Sequence, residues 1–346
     1  MWAGVVATHA LACVAGCRDS GPAPAPAVTR PASQPDPWAE HQAPGDAGPA
    51  AEPVWFPAED VVAAQVAELA GPALRGRGSG TADERRAADR VAQWMQEAGA
   101  EPGLSGRWLQ PFTFEDGRTS QNVVGVIVGS DPAAGHVVVG AHYDHLGEVD
   151  GRIHPGADDN ASGVAGLVGI AAALFHAGQR PRLTVVLVAF GAEEAGLHGS
   201  AHYAANPVRP LDRAVVMVNL DMIGRPEFLS AAEYRLARLL VPARGIGAIT
   251  APGGGGWVER ARVAAVAEGR PLVSAGDFGS TVEAAIRPLV EYRGDHRSFA
   301  VHGVPYLWLS TSMHDDYHRP SDTADRVDPG TVAAVGRMVV RVIRAL

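Results

Sequence analysis

Lysine is missing from this chain: all 29 basic side chains are arginine. With no side-chain amine, Schiff-base chemistry, pyridoxal enzymes and a phosphate-loop lysine are excluded. Cysteine is almost as scarce, represented by Cys13 and Cys17 alone. Beyond residue 17 there can be no disulfide and no thiolate metal site, so any metal must be held by His, Asp and Glu. No basic tract occurs and the formal net charge is −9, which argues against nucleic acid and anionic membrane surfaces as partners. What remains is an ordinary globular composition, 47% hydrophobic and 19% charged over 346 residues. That is enough for one large α/β domain with a sizeable core, or two small ones.

The chain divides into three parts. Residues 1–17, MWAGVVATHALACVAGC, form an apolar stretch too short to span a membrane. It resembles a bacterial lipoprotein signal whose Cys17 becomes the lipidated first residue, although a basic start is missing and His9 interrupts it. The expectation is export to the periplasm or cell surface, with membrane attachment only through that cysteine. Residues 18–57 are rich in Pro, Ala, Gly, Asp and Glu without apolar periodicity, a composition that buries no core and reads as a disordered tether. Trp55 and Phe56 are the residues within it suited to packing on the adjoining domain.

From residue 58 to 346 strands and helices alternate. Val61, Val62, Val66 and Leu69 share one helical face, and a second helix over 81–98 opens on Thr81 and Glu84 at capping-box spacing. Strands are expected at 122–129, 136–142, 183–191, 214–220 and 305–310, several of them continuously apolar, as strands covered on both faces are. Helical patterns at 162–178, 194–205 and 331–345 lie between them. The fold class is α/β, with a mixed, largely parallel central sheet flanked by helices on both faces. Residues 225–295 are the least patterned; the glycine run at 253–256 lacks a feeding strand and a lysine, so it is a hinge or linker and not a phosphate loop.

The polar residues that break this pattern stand just after strands. His142 is followed by Tyr143-Asp144-His145, the next long strand by Glu193-Glu194, and AVVMVNL by Asp221. The segment GADDNASG at 156–163 lies between the first two, and His314, Tyr317 and His318 follow the last strand. Sites of open α/β sheets form beyond the carboxyl ends of strands, so these residues should meet in one crevice. Imidazoles and carboxylates without thiolate suit zinc in a hydrolytic site, with manganese or cobalt as alternatives. One metal needs three protein ligands and a water; five ligands fit two metals about 3.5–4 Å apart that share a carboxylate.

AHYDHLG, GADDNASG, FGAEEAGLHGS, NLDMIG and DYHRPSDT resemble the five metal-site motifs of the co-catalytic zinc aminopeptidase family. That family includes secreted bacterial leucyl aminopeptidases, aminopeptidase Y and, more distantly, glutamate carboxypeptidase. The resemblance covers residues 119–328, with the motifs in order. It implies a zinc-exopeptidase fold for residues 58–346 and two zinc ions per chain. Asp158 would bridge them, His142 and Asp221 would complete one site, and Glu194 and His318 the other. Glu193 would be the general base, deprotonating a hydroxide shared by the zincs as it attacks a peptide carbonyl, and Tyr317 would donate to the oxyanion. Asp144 would fix the ring of His142 from behind, and the Asp158–Asp159 peptide would be cis, with Asp159 in a supporting place.

Each feature has a plainer reading. Paired glutamates suit the positive end of a helix, and Asp158-Asp159-Asn160 suits a turn or helix cap. His145, His198, His202 and His314 suit surface or hydrogen-bonded roles, Ser321 and Asp322 a turn after Pro320, and His296 a structural or pocket-lining place. Five motifs together favour the enzyme, with the N-terminus of a peptide or protein as substrate. A carboxypeptidase or other amide hydrolase of the same fold is the alternative: Arg287 and Arg293 could meet a carboxylate, and Asp277, Glu283 and Glu291 an amine. A single-zinc cyclase and an inactive binding module are weaker, because every ligand position and the base are filled.

Overall fold

The computed structural model describes residues 52–346 apart from 115, 132, 227–243, 282, 285–286, 288–292 and 312–313. The export segment, Cys17 and nearly all of the expected tether, with Glu291, lie outside the described residues.

Strands β1 (Glu101–Pro102), β2 (Leu109–Thr113), β3 (Thr119–Ile127), β4 (His136–His142), β7 (Thr184–Phe190), β8 (Ala214–Leu220), β9 (Ile246–Thr250), β10 (Leu272–Ser274) and β11 (Tyr306–Ser310) form one sheet. A hairpin of β5 (Gly147–Val149) and β6 (Arg152–His154) stands apart. The strand order is β1-β3-β7-β4-β8-β11-β9-β10, with β2 paired to β3. The centre, β7-β4-β8-β11, is parallel, while β3 joins β7 and β9 joins β11 antiparallel. Register aligns the strand ends: His142 faces Phe190, and Leu220 faces Leu309. The donors expected from sequence therefore emerge along one edge.

The helices are α1 (Glu59–Leu69), α2 (Ala82–Glu97), α3 (Gly163–Phe175), α4 (His198–Ala205), α5 (Gly255–Ala267), α6 (His296–Ala300) and α7 (Pro329–Arg344). Those that contribute to the larger core cluster (α1, α2, α3, α5 and α7) cover one face of the sheet, and Tyr203 of α4 and Phe299 of α6 pack on the other. Strands β4, β7 and β8 are buried along their whole length, hence the unbroken Val and Leu runs. Each such side chain is worth roughly 1.5–3 kcal/mol against exposure. Helix α3 is buried almost all round. A Cβ at its Gly169, or at Gly336 of α7, would strike the ring of Phe56, which is wedged between the two helices.

Three local expectations are corrected. Phe56 packs in the core as expected, joined by Val54, but Trp55 between them is 51% exposed. Val61 is exposed, unlike its presumed partners Val62, Val66 and Leu69. The glycine run is neither hinge nor linker: Gly254 caps α5, and Trp257, one turn in, is fully buried. Among the described residues no helix is long and apolar enough to cross a membrane.

Candidate metal centre

His142 ends β4 and Asp221 follows β8, so the sheet ladder sets both backbones. His142 Nδ1 lies 3.2 Å from the carbonyl oxygen of Asp144. A carbonyl only accepts, so Nδ1 donates to it and Nε2 is the atom turned into the cluster. Nε2 faces two acids, Asp159 Oδ1 at 3.2 Å and Asp221 Oδ1 at 3.8 Å. On the other side, His318 Nε2 lies 3.2 Å from Asp159 Oδ2 and 3.3 Å from Glu194 Oε2. The two oxygens of Asp159 thus face opposite groups, His142 with Asp221 and His318 with Glu194.

Asp158, expected between the metals, is not there. Its Oδ1 accepts from Gly224 N at 2.7 Å and its Oδ2 meets His314 Nε2 at 3.1 Å. Neighbouring residues in extended backbone point to opposite sides, and Asp159 is extended at φ −105°, ψ 91°. Only one aspartate can face the cluster, and Gly224 and His314 hold Asp158 on the far side. The cis peptide is Asp159–Asn160, not Asp158–Asp159. Asp322 is more than a turn residue: its buried carboxylate accepts from Asp158 N and Asp159 N, each at 3.1 Å. Asn160 ties the loop on, accepting from Gly163 N and Met222 N and donating to Leu220 O.

Asp144 stands behind the His142 ring as expected and has a second task besides. Its carbonyl, not its carboxylate, holds the His142 ring. The carboxylate accepts from Glu193 N at 3.0 Å, Glu194 N at 3.3 Å and Ser79 Oγ at 2.6 Å, so it fixes the backbone of the paired glutamates. The capping box at α2 is half realised. Thr81 accepts from Glu84 N, but Glu84 turns inward to accept from Gly80 N, Ser120 Oγ and Ala192 N, one residue before Glu193. Burial first, and the charge of Asp144 next, raise the Glu84 carboxyl to about 8.

Arg77, also unforeseen, is fully buried. Its guanidinium donates to Tyr143 O (2.7 Å), Leu69 O (2.6 Å), Pro155 O (2.7 Å) and Gly156 O (2.8 Å), binding the AHYDH loop to the loop that carries Asp159. Burial lowers its pKa to about 10 against the pull of Asp144 and Asp159. Trp308 donates from Nε1 to Asp221 Oδ2 at 3.2 Å, a partner with no motif to announce it. His145, left unassigned from sequence, is fully buried with Nδ1 at 2.8 Å from Glu194 Oε1 and 3.8 Å from Asp159 Oδ2. The first contact is short but bent, and neither atom completes a straight hydrogen bond.

Three residues next to these side chains have left-handed backbone: Ala192 (φ 53°), Met222 (φ 56°) and His318 (φ 55°). Non-glycine residues take that conformation at a cost of about 1–3 kcal/mol, and such strain gathers at functional sites.

The charges of the clustered groups pull strongly on one another. Burial pushes the His142 imidazolium down, yet Glu193, Asp159 and Asp221 hold its pKa well above the ordinary value. Burial likewise works against His318, but Asp159 and Glu194 raise it to about 11. Against burial, His142 and His318 draw Asp159 well below the usual carboxylate range. Glu194 falls to about 2 despite burial and Asp159, through His145 and His318. Glu193 goes the other way, raised well above its ordinary value by burial and then by the acids around it, with His142 opposing. Burial and the same acids raise Tyr317 well above 10, so it stays a neutral donor; its ring stacks on His318 at 3.8 Å.

Four carboxylates and three imidazoles thus crowd together, and among the described residues Asp159 Oδ2, Glu194 Oε1 and both nitrogens of His145 have no hydrogen-bond partner. Unpartnered buried donors and acceptors are rare, and a cation would satisfy lone pairs that otherwise face one another. Donor atoms of His142, Asp159 and Asp221 lie within 4.8 Å of one another, as do those of His145, Asp159 and Glu194. Nitrogen and oxygen donors in this arrangement fit zinc.

The remaining candidates do other work. His198 and His202 stack on Phe114 and Phe112. His296 is fully buried against Tyr306 and Trp308, and burial lowers its pKa to about 3. Asp277 pairs with Arg262 at 2.8 Å and Glu283 with Arg287. These four line a cavity of about 250 Å³ whose walls include none of the clustered donors.

The sequence profile described as peptidase family M28 matches residues 122–343. The protein YfbL of Escherichia coli is 31% identical over 227 residues, 61% of this chain and 67% of that one. Aminopeptidase YwaD of Bacillus subtilis is 36% identical over 118 residues, covering 34% of this chain but only 24% of its own length. The solved zinc aminopeptidase BSAP from Bacillus subtilis superposes with a TM-score of 0.62 at 18% identity, over 85% of this chain and 96% of that one. At that identity the likeness concerns the fold, which a glutaminyl cyclase of Porphyromonas gingivalis also shares.

Proposed function

The chain belongs to peptidase family M28, and so to the zinc metallopeptidases, and from that premise we propose that it is an exopeptidase releasing N-terminal residues with two zinc ions. His142 and Asp221 would hold one ion and Glu194 and His318 the other, with Asp159 placed to serve both. The observation that carries this reading is the split of Asp159, whose two oxygens each lie 3.2 Å from an imidazole nitrogen on opposite sides.

Bound zinc supplies a Lewis acid and lowers the pKa of water toward neutrality. The rest of the chemistry belongs to the chain. Glu193 takes the proton of the attacking water and passes it to the departing amine. Its raised proton affinity suits that relay, and Asp144 holds its backbone in place. Tyr317, kept as a phenol by burial and nearby acids, donates to the carbonyl oxygen as negative charge gathers there. Trp308 steadies Asp221.

Charge supports an amine over a carboxylate at the substrate's recognised end. The cluster is rich in acid, and two arginines close to it are engaged, Arg77 by four carbonyls and Arg225 by Asp316 at 2.8 Å. An ammonium is attracted to such a site and a carboxylate repelled. The test is a hydrolysis panel of free-amine, N-acetylated and C-terminally amidated peptides, together with an N-terminal glutamine substrate. Cleavage of free-amine peptides alone, abolished by chelation and restored by zinc, is the expected result. Turnover of the N-acetylated set would move the reading to a carboxypeptidase, and cyclisation without cleavage to a cyclase.

Export and lipid attachment at Cys17 are proposed on residues 1–17 alone. Detergent-phase partitioning of the full chain that disappears in Cys17→Ser supports them; an aqueous wild type removes them.

A further inference from the structure

His145 is the imidazole that the two-ion reading leaves unused. It lies three residues beyond His142 and is fully buried, with its backbone N donating to Arg77 O at 3.2 Å. Its ring leans so closely on Gly156 that a Cβ there would strike it. It stands edge-on to His318, with ring centroids 5.7 Å apart. A ring held this firmly, with Nδ1 directed into the Glu194 side of the cluster, has a task there.

The separations say which task. Two ligands of one tetrahedral zinc sit about 3.3 Å apart, the edge that follows from bonds of about 2.0–2.1 Å. His318 Nε2 meets that figure with both Asp159 Oδ2 (3.2 Å) and Glu194 Oε2 (3.3 Å). His145 does not: Nδ1 is 2.8 Å from Glu194 Oε1 and 3.8 Å from Asp159 Oδ2. The first is a hydrogen-bond length, too short for two ligands of the same ion. The two oxygens of Glu194 therefore have separate neighbours, Oε1 the ring of His145 and Oε2 the ring of His318.

Resting on the two-ion reading, we propose that His145 is a positioning residue that engages Glu194 Oε1 through Nδ1 and so leaves Oε2 alone to the metal. A carboxylate with both oxygens free can turn and bind in several ways; one with an oxygen engaged offers a single geometry. Partners of this kind orient ligands, and their loss typically costs about 10–100-fold in metal affinity. The His142 side has its counterpart in the Asp144 carbonyl, which fixes the ring of His142.

The experiment reads metal affinity, not turnover. Zinc is titrated against a chromophoric chelator in wild type, His145→Phe, His145→Ala and His145→Asn, and the cobalt-substituted proteins are compared by visible absorption. Phe keeps the bulk of the ring without a donor, whereas Asn restores an N–H close to the position of Nδ1. The expected result is one of two zinc equivalents weakened about 10–100-fold in Phe and Ala, largely recovered in Asn, with the other equivalent and the cobalt spectrum unchanged. Wild-type affinity at both equivalents in Phe and Ala would overturn the proposal. So would an Asn variant as weak as Ala with a cobalt spectrum altered like that of His318→Ala, because His145 would then be a ligand. Fewer than two zinc equivalents in wild type would instead remove the two-ion reading beneath it.

Discussion

The two sides of the candidate centre are built from different kinds of backbone. His142 and Asp221 stand at the ends of adjacent parallel strands, and His142 is only 3% exposed. Glu194 sits in a turn after left-handed Ala192, and His318 lies in a loop, itself left-handed and 25% exposed. The first pair is placed by the hydrogen-bond ladder of the sheet. Partners touch the side chains of both pairs, but the second needs its backbone held as well: Asp144 under Glu193 and Glu194, with the buried ring of His145 against Glu194. Precision on a sheet edge comes with the strand, while precision on a loop has to be assembled from side chains remote in sequence. The His142 side should accordingly be the firmer one.

The largest effect tests whether one base serves both sides. Glu193→Gln should retain both zinc equivalents while kcat falls by about 10²–10⁴-fold, measured on a free-amine peptide. A kcat near wild type would put the base elsewhere. Asp159→Ala should strip metal from both sides, whereas Asp158→Ala should leave both equivalents bound and lower stability through the lost Gly224 and His314 contacts. Metal analysis of the two variants side by side decides which aspartate is shared, and the reverse outcome would restore the assignment from sequence.

Arg77 underlies both sides, so Arg77→Met should weaken them together. Four carbonyls, three of them on buried residues, lose their donor, and the expected cost is about 3–5 kcal/mol in urea unfolding. Loss confined to one zinc equivalent would contradict that shared role. His142→Ala and His318→Ala sharpen the comparison directly: each should release chiefly its own ion, and His142→Ala should have the greater effect on chelator resistance.

The smallest effect sets the background of acid sensitivity. His136, buried in β4, has its pKa lowered to about 4 by burial first, then by Arg209 and Arg213. Between pH 6.5 and that value the unfolded chain binds a proton that the folded chain refuses, so stability falls as pH falls, by about 1.4 kcal/mol per unit. His136→Asn should remove this contribution, flattening unfolding stability over that window without altering zinc content.

Most of the sheet could be read from sequence. Strands expected at 136–142 and 214–220 match β4 and β8 residue for residue, because continuous burial on both faces writes itself as an unbroken apolar run. Residues 225–295 resisted because β9 and β10 are short and α5 begins in glycine, so neither periodicity nor a cap residue marks them. In the site, His142, Glu194, Asp221 and His318 were legible as polar breaks after strands or within motifs. Asp144 was legible as a partner but not in its manner of action, since motif spacing does not tell carbonyl from carboxylate. Arg77, Ser79 and Glu84 come from a segment that reads as an ordinary helix start, and Trp308 from an ordinary apolar strand.

The chain's own residues determined that any metal must meet nitrogen and oxygen, for no cysteine lies beyond residue 17, and that alternating strands would bring their polar ends to one edge. Tertiary structure alone decided which of two adjacent aspartates faces that edge. The choice lies with Gly224, His314 and Asp322, which hold the loop from 66 to 164 residues away. A side chain's direction follows the backbone angles those distant partners impose, and no local pattern at GADDNASG encodes them.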